Sequence, residues 1–204
     1  YETKSQYTAT VTATDGTNSI TQSITVNVTD VNEDAPVFTS SATFSAAENQ
    51  TAIGTVTATD ADGDTITYSI NDSVITIDSS TGVIAFASAP DYETQDRYFA
   101  TVTASDGTNS TTQDITVNVT DVNDNTPIFT SNDSFAADEG QTSVGTITAT
   151  DADGDDLSFS ISGNDAGVFV IGASNGVLEF TQAFDYENDP SQRENSIVVT
   201  VTDG

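Results

Sequence analysis

The chain has 204 residues and carries 32 Asp and Glu against 3 Lys and Arg, a formal net charge of −29 at pH 7. This charge excludes nucleic acid and anionic membranes as partners, because both are recognised through cationic side chains. The absence of His and Cys excludes imidazole and thiol catalysis and the common zinc sites, which leaves carboxylate chemistry. No run of residues is apolar enough to span a bilayer, so we expect no membrane insertion in this segment.

The first part of the chain is repeated further along. The stretch YETKSQYTATVTATDGTNSITQSITVNVTDVNEDAPVF begins at Tyr1 and returns as YETQDRYFATVTASDGTNSTTQDITVNVTDVNDNTPIF from Tyr92, an offset of 91 residues. The same offset carries Glu48 onto Glu139. A period of this length corresponds to a whole domain and not to a solenoid coil.

Proline marks the boundaries between the repeats. Pro36 and Pro127 each follow the motif that closes a repeat, where proline ends a strand and stiffens a short linker. We therefore predict three segments: residues 1–34 as the C-terminal part of a repeat, residues 35–125 as a complete repeat, and residues 126–204 as a repeat that lacks its last strand.

Alternation of apolar and polar residues with a period of two predicts β-strands. In the complete repeat, Ile115, Val117 and Val119 alternate with hydroxyl and amide side chains, and in the last repeat Leu157 and Phe159 alternate with serines. No segment shows a helical period. About seven short strands in each repeat predict an all-β fold of tandem Greek-key, immunoglobulin-like β-sandwich domains joined end to end.

Acidic residues cluster where the alternating runs stop, hence at domain ends. The complete repeat contains DADGD from Asp60, DYE from Asp91 and DVNDN from Asp121. If the strands are antiparallel, stacking two repeats end to end brings together nine residues, seven of them carboxylates: Glu48, Asp91, Glu93, Asn123, Asp124, Asn125, Asp151, Asp153 and Asp203. Each close pair of carboxylates repels by about 1–4 kcal/mol, so the arrangement requires a cation. Oxygen ligands of this kind predict calcium.

The motifs AEN, DAD, DYE, SDG and DVNDNTP, in this order and spacing, resemble cadherin repeats, particularly the cadherin-like domains of large bacterial surface proteins. The resemblance covers essentially the whole chain. It implies as many as three calcium ions at each junction, bound at the second junction by the nine residues above and by the carbonyls of Val122 and Asn125. At the first junction the matching residues are Glu2, Asn32, Glu33, Asp34, Asp60, Asp62 and Asp106.

Three residues, two in the first linker and one in the last repeat, depart from the family pattern. The first linker reads NEDAP where the family favours NDNAP, so that Glu33 replaces a shorter Asp and Asp34 replaces Asn. The number of calcium ions at the first junction is therefore left open. In the last repeat Gly140 follows Glu139 where the family has Asn, and Glu139, Asp185 and Glu187 are expected to form a half-site for a following domain.

The resemblance implies a mechanical role and not an enzyme. The chain is expected to be a calcium-rigidified extracellular stalk or adhesin segment, secreted or on the cell surface and of bacterial origin. Its expected partners are calcium ions, neighbouring repeats of the same polypeptide, and other copies in a filament or in adhesion, or surface glycans.

Three other functions compete with this interpretation. An EF-hand beginning at Asp60 or Asp151 needs Glu at position 12, where the chain has Asn71 or Ser162. A glycosidase would use a carboxylate pair, but these pairs recur at domain ends where no single cleft forms. A polysaccharide-binding module of a secreted protein remains the alternative, although sugar platforms use exposed aromatics and the chain has no Trp.

The last repeat stops before a strand that the complete repeat contains. In the complete repeat, residues 108–124 supply that strand, and each of its three apolar side chains would contribute about 1.5–3 kcal/mol on burial. We therefore expect residues 126–204 not to fold stably in isolation. As an alternative, residues 19–29 of one copy complete the last repeat of another copy by strand addition, which gives a filament.

Overall fold

The computed structural model of the protein describes residues 1–185, 187 and 195–204. These residues form β-strands joined by loops and one 3₁₀ turn, Ala166–Val168. The strands before residue 121 are β1 Gln6–Thr14, β2 Ser19–Asn27, β3 Val37–Phe38, β4 Thr43–Ala47, β5 Ala52–Thr55, β6 Ala58–Thr59, β7 Thr67–Ile70, β8 Ile75–Ile77, β9 Val83–Phe86, β10 Arg97–Ser105 and β11 Ser110–Thr120. Those after it are β12 Ile128–Phe129, β13 Ser143–Thr146, β14 Ala149–Thr150, β15 Ser158–Ser162, β16 Phe169–Ile171, β17 Val177–Phe180 and β18 Val198–Thr202.

The chain divides into two compact units, unit 1 from Tyr1 to Thr120 and unit 2 from Asp121 to Gly204. The finer division into residues 1–34, 35–125 and 126–204 stays a prediction. No helix in the described part of either unit has the length and apolar character that crossing a bilayer requires.

Unit 1 begins with a two-stranded hairpin. Strands β1 and β2 pair antiparallel from Gln6↔Asn27 to Thr14↔Ser19. The turn between them is held by Asp15, whose Oδ1 accepts hydrogen bonds from the backbone N–H of Thr17 at 2.9 Å and of Asn18 at 2.7 Å. Every residue of both strands is exposed, so the hairpin has no buried face.

The rest of unit 1 is a β-sandwich. One sheet has the strand order β4-β11-β10-β7, with β11 antiparallel to β10 and parallel to β4, and a second sheet has the order β5-β9-β8. Apolar side chains from both sheets form one core, including Ile75, Ile84, Val102, Ile115 and Val117. The predicted all-β sandwich is confirmed.

The core-facing strand predicted from alternation is also confirmed. Along β11, Ile115, Val117 and Val119 are buried, while the residues between them point away from the core. Its neighbour β10 shows the same alternation, which places Val102 and Ala104 on the buried face. Because side chains of a strand alternate between its faces, each long strand of this sheet has one buried and one more exposed face.

Unit 2 has a smaller buried core. Its ladders are β12-β14, β13-β17-β16 and β15-β18, and its buried apolar residues among those described are Ile147, Phe159 and Leu178. A tight turn recurs in both units at Gly82 and Gly176, where φ is +70° and +64°. A Cβ atom there would collide with the carbonyl oxygen of Val56 or Ile147, so these turns require glycine.

Candidate metal centre

The first linker is fastened to the sandwich of unit 1 by one carboxylate. Oδ2 of Asp62 accepts hydrogen bonds from the backbone N–H of Glu33 at 3.0 Å and of Asp34 at 2.9 Å. Asp62 lies in the loop after β6, next to Gly63, whose φ of +84° allows the loop to turn back. The loop thereby presents its acidic side chains to the linker.

Asp60 organises the same loop. Its Oδ1 accepts hydrogen bonds from the backbone N–H of Asp62 at 3.0 Å and of Asp64 at 3.3 Å. Carboxylate oxygens of Asp60, Asp62 and Asp64 lie within 4.8 Å of one another. Like charges at this separation repel each other, so the loop concentrates negative charge instead of dispersing it.

Two oxygens of this loop are buried without a hydrogen-bond donor. Among the residues that the structure describes, Oδ2 of Asp60 and Oδ1 of Asp62 have no hydrogen-bond partner although both atoms are buried. A buried polar group left unpaired costs about 1–3 kcal/mol, and more when it is charged. A cation is the ligand that would satisfy both oxygens at once.

Further carboxylates reach the same place from the hairpin and the linker. Carboxylate oxygens of Glu2, Glu33 and Asp62 lie within 4.8 Å of one another. Desolvation, and then repulsion from Asp62, Glu2 and Asp34, raises the pKa of Glu33. Desolvation, and then repulsion from Glu2, Asp62 and Asp64, raises the pKa of Asp30. The local field at the first linker therefore favours bound positive charge.

Asp106 stabilises a turn that contains Asn109, and Asn109 contacts the linker. Its Oδ1 accepts hydrogen bonds from the backbone N–H of Thr108 and Asn109, both at 2.6 Å. Burial acts to raise the pKa of Asp106, but hydrogen bonds from Asn109 and Thr108 outweigh it and hold that pKa below its usual value. Nδ2 of Asn109 donates to Oδ1 of Asn32 at 2.8 Å and to the carbonyl of Asp34 at 3.3 Å.

Sequence reasoning missed three residues at the first linker. The set predicted from the sequence does not include Asn109, Asp64 or Asp30. The repeat itself is a signal for two of them. Asn109 recurs as Asn18, and Asp30 recurs as Asp121, at the 91-residue offset. For Asp64 the DADGD run itself was the signal.

A second acidic group lies elsewhere in unit 1. Carboxylate oxygens of Glu48, Asp91 and Glu93 lie within 4.8 Å of one another, and Glu48 is only 3% exposed. Oε2 of Glu48 accepts a hydrogen bond from the backbone N–H of Tyr92 at 2.9 Å. Asp91 accepts hydrogen bonds from the backbone N–H and the hydroxyl of Thr94 at 3.1 and 3.0 Å. The structure thus brings these three predicted ligands together.

Unit 2 has the same arrangement, in which a loop aspartate accepts two hydrogen bonds from the linker backbone; we call it the linker clamp. Oδ2 of Asp153 accepts hydrogen bonds from the backbone N–H of Asp124 at 3.0 Å and of Asn125 at 2.9 Å. Asp151 holds the loop by accepting from the N–H of Asp153 at 3.0 Å. Nδ2 of Asn123 donates to the carbonyl of Asp203 at 3.3 Å. Within the described residues, Oδ2 of Asp151 is buried without a hydrogen-bond partner, as is the same atom of Asp60.

The two clamps differ in the hydrogen bonding of the second residue that each one holds. In unit 2, Nδ2 of Asn125 donates to Oδ1 of Asp153 at 2.7 Å. In unit 1 the matching position is Asp34, which has no side-chain N–H to donate, and Oδ1 of Asp62 is buried without a hydrogen-bond partner in the described structure. The departure NEDAP therefore leaves one more carboxylate oxygen for a cation at the first linker.

A third acidic group lies in unit 2, and its role as a half-site for a following domain stays a prediction. Carboxylate oxygens of Glu139, Asp185 and Glu187 lie within 4.8 Å of one another on the exposed surface of unit 2. The predicted second-junction set draws Glu48, Asp91 and Glu93 from unit 1 and its other members from unit 2. Its assembly into one site stays a prediction.

Comparison with known proteins identifies the repeat. The profile of the cadherin domain matches residues 41–120, which span β11 and most of the unit 1 sandwich. The chain contains a cadherin domain. The recognition made from the motifs AEN, DAD, DYE, SDG and DVNDNTP is thereby confirmed.

The chain is similar to segments of large cadherins. It is 36% identical over 210 residues to the mouse cadherin EGF LAG seven-pass G-type receptor 2, a match that covers 92% of this chain and 7% of the receptor. It is 35% identical over 222 residues to human protocadherin Fat 4, covering 99% of this chain and 4% of that protein. The chain therefore spans less than a tenth of the length of these relatives. They come from mouse and human, so a bacterial origin stays a prediction.

Solved cadherin structures have the same fold. Repeats EC22–24 of mouse cadherin-23 match with a TM-score of 0.73 and 28% identity, over 100% of this chain and 71% of that one. Repeats EC3–6 of protocadherin gammaB7, solved as a cis-dimer, match with a TM-score of 0.80 and 28% identity, over 100% of this chain and 56% of that one.

Proposed function

We propose that calcium binds at the first linker and that the cadherin repeats of this chain form a calcium-stiffened extracellular stalk or adhesive segment. The observation that carries the proposal is the pair of buried, unpaired oxygens on Asp60 and Asp62, which lie beside a linker already held by Asp62. A site built this way is completed by a cation and destabilised without one.

The available donors fit calcium better than other metals. Glu2, Glu33, Asp60, Asp62 and Asp64 offer carboxylate oxygens, and the chain has no His or Cys. Calcium accepts six to eight oxygen ligands in flexible geometry, whereas magnesium requires a near-ideal octahedron. Zinc and copper favour nitrogen and sulfur donors, which this set does not offer.

Some residues of the chain fix the linker by hydrogen bonds, and others place negative charge on both sides of it. Asp62 and Asn109 fix the linker backbone and its Asn32 side chain by hydrogen bonds. Glu2 and Asp30, which flank the hairpin, face acidic residues of the sandwich across the linker, and desolvation followed by this repulsion raises the pKa of Asp30. Bound calcium would supply the positive charge that turns this repulsion into attraction. The linker then behaves as a joint that is stiff only when calcium is present.

The proposal extends to the second linker on the strength of the repeat. Asp124, Asn125 and Asp153 reproduce the clamp in unit 2, and Asp151 reproduces the unpaired buried oxygen of Asp60. Glu48, Asp91 and Glu93 are the ligands that unit 1 would contribute. Calcium affinities of extracellular modules lie near 10⁻⁴–10⁻³ M, which suits the role of an extracellular spacer.

Small-angle X-ray scattering with and without calcium tests the stiffening. The 204-residue chain is measured in about 2 mM calcium and again in excess chelator, concentrations chosen to bracket the expected affinity. We expect chelation to broaden the distribution of interatomic distances and calcium to restore it, with magnesium at the same concentration less effective. Identical scattering in both states would show that calcium is not the stiffener.

A further inference from the structure

The four-stranded sheet of unit 1 carries an exposed aromatic side chain on its outer face. Phe99 lies on β10 and is 67% exposed, while its neighbours along the strand, Tyr98 and Ala100, pack in the core. Because side chains of a strand alternate between its faces, Phe99 points away from the sandwich. The fold of unit 1 therefore leaves the apolar area of this ring in water.

Two opposite charges flank Phe99 on this face. Arg97 precedes Phe99 by two residues on β10. Asp114 lies on β11 opposite Thr101, which follows Phe99 by two residues. Since each residue of a strand advances about 3.4 Å, the cation and the anion lie about 7 Å from Phe99 in opposite directions along the strands. Both charged residues are exposed.

Hydrogen bonds within the sheet hold both charged side chains in place. Nε of Arg97 donates to Oδ1 of Asn118 at 3.1 Å, and the hydroxyl of Thr101 donates to Oδ1 of Asp114 at 2.7 Å. Each bond uses only part of the available capacity, because a guanidinium has five N–H donors and a carboxylate has two oxygens. The two groups are thus preorganised and can still bind another molecule.

The 91-residue repeat shows that this face differs where the core does not. The core-facing residues of β10 in 98–104 and of β11 in 113–119 are identical to those 91 positions earlier. The outer face differs at the two flanking charges and the central aromatic, where the earlier copy has Gln6, Thr8 and Ser23. The three differences therefore change the surface of the sheet and leave its core unchanged.

Charge limits what could cover this patch. The chain has 3 Lys and Arg against 32 Asp and Glu, and Arg97 is one of the 3. An anionic partner would be repelled by the chain as a whole, and a cationic partner would bind its acidic surface without needing a patch that contains a cation. A patch with one charge of each sign beside an aromatic ring fits a surface with the same three groups.

We propose that this face binds the same face of a second copy of the chain, about a two-fold axis that passes through Phe99. The axis is perpendicular to the strands and exchanges the two ends of the patch. Arg97 of each copy then contacts Asp114 of the other, and the two Phe99 rings pack in the centre. Such a contact is isologous, so it closes as a dimer and does not propagate. Aromatic residues and Arg are enriched at the centres of protein interfaces.

The size of the face predicts a weak, reversible dimer. Strand β10 has 9 residues, which span about 31 Å, and the four strands are about 19 Å across. The face thus offers about 600 Å² per copy, at the lower end of specific interfaces. Two chains of net charge −29 repel each other, but at about 0.15 M salt the Debye length of about 8 Å screens charges outside the contact. The inference does not depend on calcium binding.

Sedimentation velocity of the 204-residue chain over a range of concentrations, at about 0.15 M salt, tests the proposal. We expect concentration-dependent formation of a dimer. Phe99→Thr should weaken it at least about tenfold, because a central aromatic carries much of the binding energy of an interface. Val83→Thr is the matched control, since Val83 is 48% exposed on β9 of the other sheet. A strictly monomeric wild type, or equal association of the two variants, would overturn the proposal.

Exchange of the two charges tests the two-fold contact itself. Arg97→Asp and Asp114→Arg should each associate at least about tenfold more weakly than wild type, because each places like charges together twice in its own dimer. An equimolar mixture of the two variants should form a heterodimer about as strongly as wild type, since both contacts then join opposite charges. A mixture that stays monomeric would contradict the two-fold contact.

Lys4→Asp controls for net charge. It makes the same charge change as Arg97→Asp at an exposed position before β1, outside the sheet. This variant should associate as wild type does, because its patch is intact. Equal loss of association in Lys4→Asp and Arg97→Asp would show that net charge controls the association, and would overturn the proposal.

Discussion

Oδ2 of Asp62 accepts a hydrogen bond from the backbone N–H of Asp34 at 2.9 Å, which ties the first linker to the loop after β6. In unit 2, Asp153 and Asn125 repeat this bond at 2.9 Å. The side chain of Asn125 also donates to Asp153, whereas Asp34 cannot donate to Asp62. The choice of Asp or Asn at this linker position thus determines whether the second oxygen of the clamping aspartate stays available for a metal.

Asn109 is expected to be a positioning residue of the first linker. Asn109→Ala removes the hydrogen bonds to Asn32 and to the Asp34 carbonyl, each with a net contribution of about 0.5–1.5 kcal/mol. Hydrogen exchange at the amides of Glu33 and Asp34 should accelerate, and calcium affinity at this linker should fall several-fold. Asn118→Ala, which removes an exposed contact with Arg97, is the control. Unchanged exchange in Asn109→Ala would exclude this role.

Proton and calcium binding at the first linker should compete. The pKa of Glu33 is raised from its ordinary value of 4.5 and that of Asp30 from 3.8. A raised pKa in the folded state stabilises the fold below the unfolded value, and this contribution is lost as pH rises through the raised value. Without calcium, Glu33→Gln should therefore gain stability relative to wild type between about pH 4 and pH 7.

With calcium the direction reverses, because the ion binds the deprotonated form. Wild-type affinity should increase as pH rises through the same window, and Glu33→Gln should show a smaller increase. Thermal denaturation in chelator and calcium titrations at each pH measure the two effects. An affinity that does not change over this window would rule out the Glu33 carboxylate as a ligand.

The same substitution at two positions related by the 91-residue repeat should change the free energy of unfolding by different amounts. Ile115→Ala should lower the free energy of unfolding of unit 1 by about 2–5 kcal/mol, because it leaves a cavity in the core. Ile24→Ala, at the repeated position in the exposed hairpin, should change it by less than about 0.5 kcal/mol at low protein concentration. Urea denaturation compares them. Equal losses would mean that the hairpin packs against the sandwich.

The fold could be predicted because its signals are local or repeated. Alternation along Ile115, Val117 and Val119 predicts a half-buried strand whatever surrounds it, and these three side chains are buried. The same alternation at Ile24 and Val26 does not report burial, since burial depends on what packs against the strand, and both side chains are exposed. Residues 134–138 form no strand, although their counterparts form β4.

The candidate site was predictable in its residue types and only partly in its arrangement. The clusters at Glu48, Asp91 and Glu93 and at Asp60 and Asp62 could be predicted from spacing, because strand ends meet at the poles of a sandwich. The contact of Asn109 with Asn32 spans a sequence separation of 77 residues and leaves no local pattern. The sequence shows that Asp34 replaces Asn but not that the replaced side chain would donate to Oδ1 of the aspartate that holds the linker.

Isothermal titration of calcium into the chelator-treated 204-residue chain tests the central claim most directly. Wild type, Asp62→Asn and Asp114→Asn are compared, the last as a control that makes the same charge change at an exposed position on β11. We expect saturable calcium binding with affinity near 10⁻⁴–10⁻³ M or tighter. Asp62→Asn should weaken the first-linker site at least about tenfold, since it replaces a charged ligand and disturbs the clamp, while Asp114→Asn matches wild type. No heat of binding at millimolar calcium, or equal binding by all three proteins, would contradict the account.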